Sequence, residues 1–557
     1  MFATTIKKTI SMKRLLPLGL VALFASVAQA AAPGISGNGL SSSTSTFNLI
    51  AQPARLTQPD GQSVYSWGYG CVTGSNPSFV PAAITTGFCS TMQVPGPTLV
   101  VTEGVPVSVT LTNNLPTAAG NTSILFPGFN VTTSCSAATP TGAQGLLTCE
   151  ATPAGQVTYT FTPTSPGTRA YYSGTQGDLQ VEMGLYGAII VLPKTPVAGT
   201  ACKDALDLAG NNAKARQYWG ESNYSLSTSA YDHPATCYDR EYLFQFSEID
   251  PSIHIAADAQ VTANATSLNV PTEPYHPAYY MINGRSMPDD MDPNYAPMYP
   301  NQPYNGNPHM HPGEITLLRI IGQGRWQHPF HEHANHVRIL ARDGNLLLTQ
   351  ADSTGNTQLA GPLMFTTTTT PGLAMDGLFY YTGRGLNWDL YGHNPKSSGA
   401  NAKLSCIPDA NGYNTGAPTA INYFEWCQDH NKPMQAAPFG DVASGGPVTL
   451  PDPNIFLNGA WYGGSPYLGP DATSRSTFGS TTCSPSGTPP QVNCTGGTTG
   501  TTPPSGTVAN NPSSEAGFAF MWHSHNEREI TTNNIFPGGM LMMMLVDSRE
   551  FVIDESL

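Results

Sequence analysis

A segment such as Thr98 to Leu111 (TLVVTEGVPVSVTL) can bury one face only as extended chain. Val105, Val107, Val109 and Leu111 fall on alternate positions after a Glu103-Gly104 turn. The two-residue period of a strand puts all four on one side. Gln156 to Thr162 alternates similarly, and Leu185 to Leu192 (LYGAIIVL) is a continuous apolar run of buried-strand length. Strand-like segments recur at Glu241 (EYLFQFSEIDP), Tyr279 to Asp290, Gly313 to Ile321 (GEITLLRII) and His336 to Leu340. Others lie at Leu378 to Tyr381, Phe518 to His523 and Met540 to Val546. Helix-period segments are hard to find, and 56 Gly and 49 Pro supply the turns that many short strands need. The expectation is an all-β protein.

The first thirty residues read as an address. Lys13 and Arg14 precede an apolar run, Leu15 to Val27, that ends in Ala28-Gln29-Ala30. This is the pattern of a secretory signal peptide with cleavage after Ala30, and translation can begin at Met1 or Met12. The run is shorter than the ~20 residues of a spanning helix, so no membrane span is expected after cleavage. A periplasmic or secreted location follows. The ten cysteines fit an oxidising compartment. Nearest-neighbour pairing is their simplest reading: Cys71 with Cys89, Cys135 with Cys149, Cys202 with Cys237, Cys406 with Cys427, and Cys483 with Cys494. No CxxC spacing suggests a zinc-thiolate or redox motif. A net charge of −14 argues against nucleic acid as a partner.

The strands group into units. An N-terminal domain spans residues 45–195, a connector 196–240, and a second β-rich unit 241–393 together with 515–550. Between the parts of the second lies an irregular stretch, 394–514, rich toward its end in Ser, Thr, Gly and Pro. No fixed-period repeat is visible.

Six of the thirteen histidines fall in two clusters, His328-Pro329-Phe330-His331-Glu332-His333-Ala334-Asn335-His336 and Trp522-His523-Ser524-His525. On extended chain, His331 with His333 and His523 with His525 present paired imidazoles on one side of a sheet. Imidazole suits copper, zinc, nickel and iron, so the spacing points to a metal without choosing it. The plainer alternative is histidines that hydrogen-bond in a loop-rich interface. His309-Met310-His311, with Met281, Met287, Met291 and Met298 nearby, is a weaker candidate for copper, and local packing is the better reading. Met540 and Met542 to Met544 read as core, and Trp388 to His393 as a packed turn. No GxSxG, P-loop or helix-opening GxGxxG occurs.

These motifs resemble those of the multicopper oxidases, the family of the laccases. Gly96-Pro97-Thr98 with Glu103-Gly104 and Thr112-Asn113-Asn114 is similar to the family's first strand pair. Gly167-Thr168 and Gly184-Leu185-Tyr186-Gly187 resemble the end of its first domain, and Ile282-Asn283-Gly284-Arg285 with Gly313-Glu314 the opening of a later one. His328 to His336 resembles HPxHxHGH, and His523 to Met540 resembles HCHxxxH…GM. The resemblance implies tandem cupredoxin-like Greek-key β-sandwich domains. It also implies a copper set of which much is missing. Leu125 and Pro127, and Tyr172 and Gly174, occupy the histidine places of the first two motifs. Ser524 replaces the blue-copper cysteine, Glu529 stands where the last histidine is expected, and Ala334-Asn335 adds a residue before His336.

What the resemblance leaves is a metal set of His331, His333, His523 and His525, with His328, and Glu332, Glu527 or Glu529 as oxygen ligands. Fewer than four coppers are expected. Serine cannot replace a thiolate on soft copper, so four-copper oxygen reduction is not expected. Two readings stand: a copper-dependent oxidoreductase acting on small molecules or metal ions, and a non-catalytic scaffold binding metal or a partner at the cell envelope.

Overall fold

The computed structural model describes residues 32–383 apart from 76, 83, 85–86, 136–141, 199–200 and 203–227. Beyond these it describes 408–415, 426, 428, 464–468, 508–509, 517–547 and 553. The signal-like segment, Trp388 to His393 and the Cys406/Cys427 and Cys483/Cys494 couples lie outside the described residues. No described helix is long and apolar enough to cross a membrane.

The first half is two five-stranded sheets. One runs Gly167–Tyr172, Tyr186–Leu192, Leu99–Thr102, Gly34–Ser36, Ser78–Val80. The other runs Ser63–Cys71, Ser45–Thr57, Val107–Asn113, Gln156–Phe161, Thr132–Thr133. The alternating residues of Thr98 to Leu111 do what their period requires. Val107, Val109 and Leu111 face Leu99, Val101, Ile189 and Val191 across a shared core. The chain crosses from one sheet to the other at the Glu103-Gly104 turn, where Gly104 holds a φ of +75° that suits glycine. Tyr186–Leu192 is buried along its whole length, as its unbroken apolar run implies.

The second half repeats the two-layer plan. Its first sheet contains Tyr279–Ile282, Arg240–Ile249, Ile315–Gly322, Ala374–Tyr380 and Val337–Arg342 in that order, followed by Asn345–Leu346. Its second contains His309–Met310, Leu541–Asp547, Gly517–Ser524, His328–Glu332 and Thr366–Thr369. Phe244, Phe246, Ile320, Phe330, Phe379, Phe520, Trp522, Met542 and Met544 fill the space between. The all-β, two-sandwich expectation holds. Val100, Ala188 and Ile190 of the first half meet Leu243, Ile321 and Ala374 of the second. Buried Arg319, bonded to Glu241, also donates to Thr168 at 2.9 Å, and Thr168 donates to Asp376 at 2.6 Å. This network ties the two halves together.

Three of the expected disulfides are formed: Cys71–Cys89, Cys135–Cys149 and Cys202–Cys237. Two elements differ from the sequence reading. Pro251–Thr262 is a helix, started by Asp250, whose carboxylate accepts from Ser252 N at 2.9 Å with Pro251 in the first turn. The stretch 394–514, read as irregular, contributes Gly464–Leu468, which pairs with Gly517–Ser524, and Val508–Ala509, which pairs with Gly464–Leu468.

Candidate metal centre

The two histidine clusters lie on adjacent strands. His328–Glu332 and Gly517–Ser524 run antiparallel in a register that pairs His331 directly with His523. His525 N donates to Pro329 O at 2.7 Å, which continues the pairing past the strand end. The pleat sorts the side chains. His331, His333, His523 and His525 share the face turned away from the aromatic core, and His328, Phe330, Glu332, Trp522 and Ser524 share the other.

The four rings form a compact group. Ring centroids are 4.7 Å apart for His331 and His333, 5.0 Å for His331 and His525, 5.3 Å for His333 and His523, and 5.6 Å for His331 and His523. His331 and His333 are 6% and 8% exposed, His523 is half-buried, and the His525 side chain is 54% exposed. The group therefore opens to solvent on the His525 side. The Nε2 atoms of His333 and His523 stand 3.3 Å apart. Two nitrogens each ~2.0–2.1 Å from one ion at a tetrahedral angle are about 3.3–3.4 Å apart.

Neighbouring groups orient the rings. His331 Nδ1 lies 2.8 Å from Thr366 Oγ1, and His523 Nδ1 lies 2.7 Å from the Ser524 carbonyl, to which it donates. The carbonyl contact leaves Nε2 of His523 as its lone-pair nitrogen, and the Thr366 contact holds the His331 ring in place. Trp522, buried on the core side, donates from Nε1 to the His333 carbonyl at 3.0 Å and anchors the turn that carries this ring. Burial, then the adjacent imidazoles, holds His331 down at about 4 and His333 at about 3, and burial lowers His523 as well. These rings are neutral at pH 7, the form that binds metal. Among the described residues, no three His, Cys, Asp or Glu side chains stand placed to hold one ion together.

His328 is not brought to this group. Its odd spacing from His331 puts it on the core face, where Nδ1 meets Glu529 Oε2 and Nε2 meets Glu248 Oε2, each at 2.9 Å. With both nitrogens engaged by carboxylates, it has none for a metal. Ser524 Oγ donates to the same Glu529 oxygen, and Asn526 Nδ2 donates to its Oε1 at 2.8 Å. Glu332 and Glu529 are fully buried on the core side, away from the four imidazoles. Burial pushes the Glu332 carboxyl up to about 8. Glu527 is exposed, with Oε1 4.0 Å from His525 Nδ1. After His333, Ala334 takes a left-handed φ of +86°, and His336 lies against Phe365 with its ring centroid 5.3 Å from that ring.

The other positions are packed. Leu125 bridges Tyr172 across the first half, and a Cβ on Gly174 would meet the Leu125 side chain at 2.8 Å. In the His-Met-His tract, Met310 is in the core and His311 Nδ1 lies 2.9 Å from buried Glu314, so packing prevails there. Thr366 and Glu248 carried no sequence signal: a run of five threonines has no period, and Glu248 is 80 positions from His328. Trp522 stands in the second motif, but its bond to the His333 carbonyl, 189 positions away, was not legible.

Residues 81–196 match the family model described as multicopper oxidase. No curated protein matches the chain in sequence. Among solved structures, the blue copper oxidase from Nitrosomonas europaea is 19% identical over 60% of this chain and 74% of that one, with a TM-score of 0.35. A copper nitrite reductase from the same organism is 17% identical over 61% and 86%, with a TM-score of 0.34. A laccase from Botrytis aclada is 17% identical over 62% and 48%, with a TM-score of 0.34. The multicopper-oxidase resemblance carried by the motifs is thus found independently in the first half of the chain.

Proposed function

We propose that this chain is an exported copper protein with a single mononuclear site made by His331, His333 and His523, with His525 at its open rim. The observation that carries the reading is the 3.3 Å between the Nε2 atoms of His333 and His523, within a group of four imidazoles of which burial keeps His331, His333 and His523 neutral at pH 7. His331 would turn to complete the set. Among divalent first-row ions, copper binds imidazole most tightly. Bound copper would supply one-electron redox chemistry, and the exposed His525 side would admit a small molecule or a metal ion as substrate. Four-copper oxygen reduction does not fit this chain. Leu125 and Gly174 pack against each other where the first two motifs would carry histidines, and Ser524 is hydrogen-bonded to Glu529 where the thiolate would be.

A non-catalytic metal-binding or partner-binding scaffold is the second reading. It is favoured by the absence, among the described residues, of three acid, thiol or imidazole groups already placed around one point. Elemental analysis of the mature protein decides first, beside a variant with His331, His333, His523 and His525 changed to Ala. About one copper per chain, lost in the variant, supports the site and leads to oxidase assays with phenols and reduced metal ions. No bound metal after copper is offered in excess would leave the scaffold.

A further inference from the structure

The loop from Met287 to Asn307 holds a buried carboxylate whose oxygens have no hydrogen-bond partner. Asp290 is 0% exposed, and neither Oδ1 nor Oδ2 has a hydrogen-bond partner. Burying a carboxylate this way costs several kcal/mol unless something pairs with it. A second oxygen donor is in the same condition: Asn307 Oδ1 is buried without a partner. The backbone brings the two together. Gly306 N donates to Asp290 O at 2.7 Å, and Asn307 Nδ2 donates to Met291 O at 3.3 Å. Gly306 leaves the space open, since a Cβ there would sit 3.7 Å from Asp290 Oδ2.

The nearest cation, Arg285, attracts the Asp290 carboxylate, but its hydrogen bonds go elsewhere. Arg285 donates to the carbonyls of Gln302, Asp289, Asp292 and Pro293, and its guanidinium lies 4.6 Å from the centre of the Tyr299 ring. It forms no ion pair with Asp290, although its own Nη2 is also unpartnered. Asp289, Asp290 and Asp292 lie within four residues of one another, so the loop keeps an excess of negative charge after Arg285 is counted. Three buried acceptor oxygens on two side chains call for positive charge or a donor between them. They are hard donors, the kind that calcium takes and copper does not.

We propose that Asp290 and Asn307 form a structural site for a hard cation of the calcium class, separate from the histidine group and independent of it. The cation would clip the 3-10 turn Asp289–Met291 to the Gly306-Asn307 backbone.

The test uses the mature protein stripped with a chelator, then titrated with calcium chloride and, separately, with terbium. Thermal unfolding should rise by several degrees at saturating calcium. Terbium should give tyrosine-sensitised luminescence that calcium displaces, with Tyr299 and Tyr304 in the same segment. Asp290→Asn should lose both responses, and Asn307→Ala should weaken calcium binding at least tenfold. Should Asp290→Asn not fold, the wild-type titration and Asn307→Ala still decide. No calcium-dependent shift and no displaceable luminescence in the wild type would overturn the proposal, leaving a water shared by Asp290, Asn307 and Arg285 Nη2. A response that persists in Asn307→Ala at full strength would also overturn it, by moving the ion elsewhere.

Discussion

The imidazole of His328 sits 2.9 Å from the carboxylate of Glu529, and neither side chain reaches solvent. Glu248 closes on the other ring nitrogen at the same distance. Burial alone would lower the imidazole, but the two carboxylates outweigh it and hold His328 up at about 9. Its proton is therefore bound more tightly in the folded chain than in the unfolded one. The stability this adds is fully present below the unfolded value of about 6.5 and is lost as pH rises through about 9. Denaturant unfolding at pH 6 and pH 9.5 should differ by up to roughly 3 kcal/mol from this group. His328→Gln should flatten that difference, and an equal slope in both proteins would exclude His328 as its source.

His328, Ser524 and Glu529 also define a colour experiment. Met540 is bracketed by them: Ser524 N donates to its carbonyl at 2.9 Å, and its N donates to Glu529 O at 2.8 Å. Two imidazoles, a thiolate and a weak axial thioether make a blue copper site. The wild-type protein loaded with copper should show no intense blue band. The double substitution Ser524→Cys with Glu529→His frees His328 Nδ1 while Glu248 still orients the ring through Nε2, and it should turn the protein blue. A colourless double variant that nonetheless binds an additional copper would show that the backbone there no longer has the needed geometry.

Thr366 orients His331 through one contact, at 2.8 Å. Thr366→Val should weaken copper binding about 10–100-fold, the usual effect of losing such a support. Thr368→Val, at an exposed position two residues on, should change nothing. A competition titration against a copper chelator reads both. Equal affinities in all three proteins would mean that His331 does not ligate through Nε2.

Gly174 and Leu125 should prove energetically coupled. Gly174→Ala forces a methyl to 2.8 Å from the Leu125 side chain and should cost about 1–3 kcal/mol. In a Leu125→Ala background the same change should cost much less. Urea unfolding of the four proteins gives the coupling, and additive losses would show that the crowding is relieved some other way.

The strands were legible because their signal is local. Val107, Val109 and Leu111 announce their face by period, and Tyr186–Leu192 announces its burial by having no polar break. The separation of His331 and His333 from His328 was legible in principle from the same two-residue rule, since an odd spacing changes the face. A motif read as a unit hides that, and His328 was expected among the ligands. What pairs with it could not be read. Glu248 is 80 positions away and Glu529 201, and only the closed sandwich brings them to one ring. The helix Pro251–Thr262 had a readable start in Asp250-Pro251-Ser252, masked by the strand pattern leading into it. Asp290 looked like any acidic loop residue until its burial was known.

The alternation along 328–333 also limits how this chain can change. Deleting one residue between His328 and His331 would put all three rings on one face, either turning His331 and His333 into the aromatic core or bringing the charged His328 imidazole to the open side. Deleting two would restore the alternation but shift every partner across the strand, parting His331 from His523. Length is thus frozen in this stretch, and new chemistry can enter it only by replacing one side chain with another.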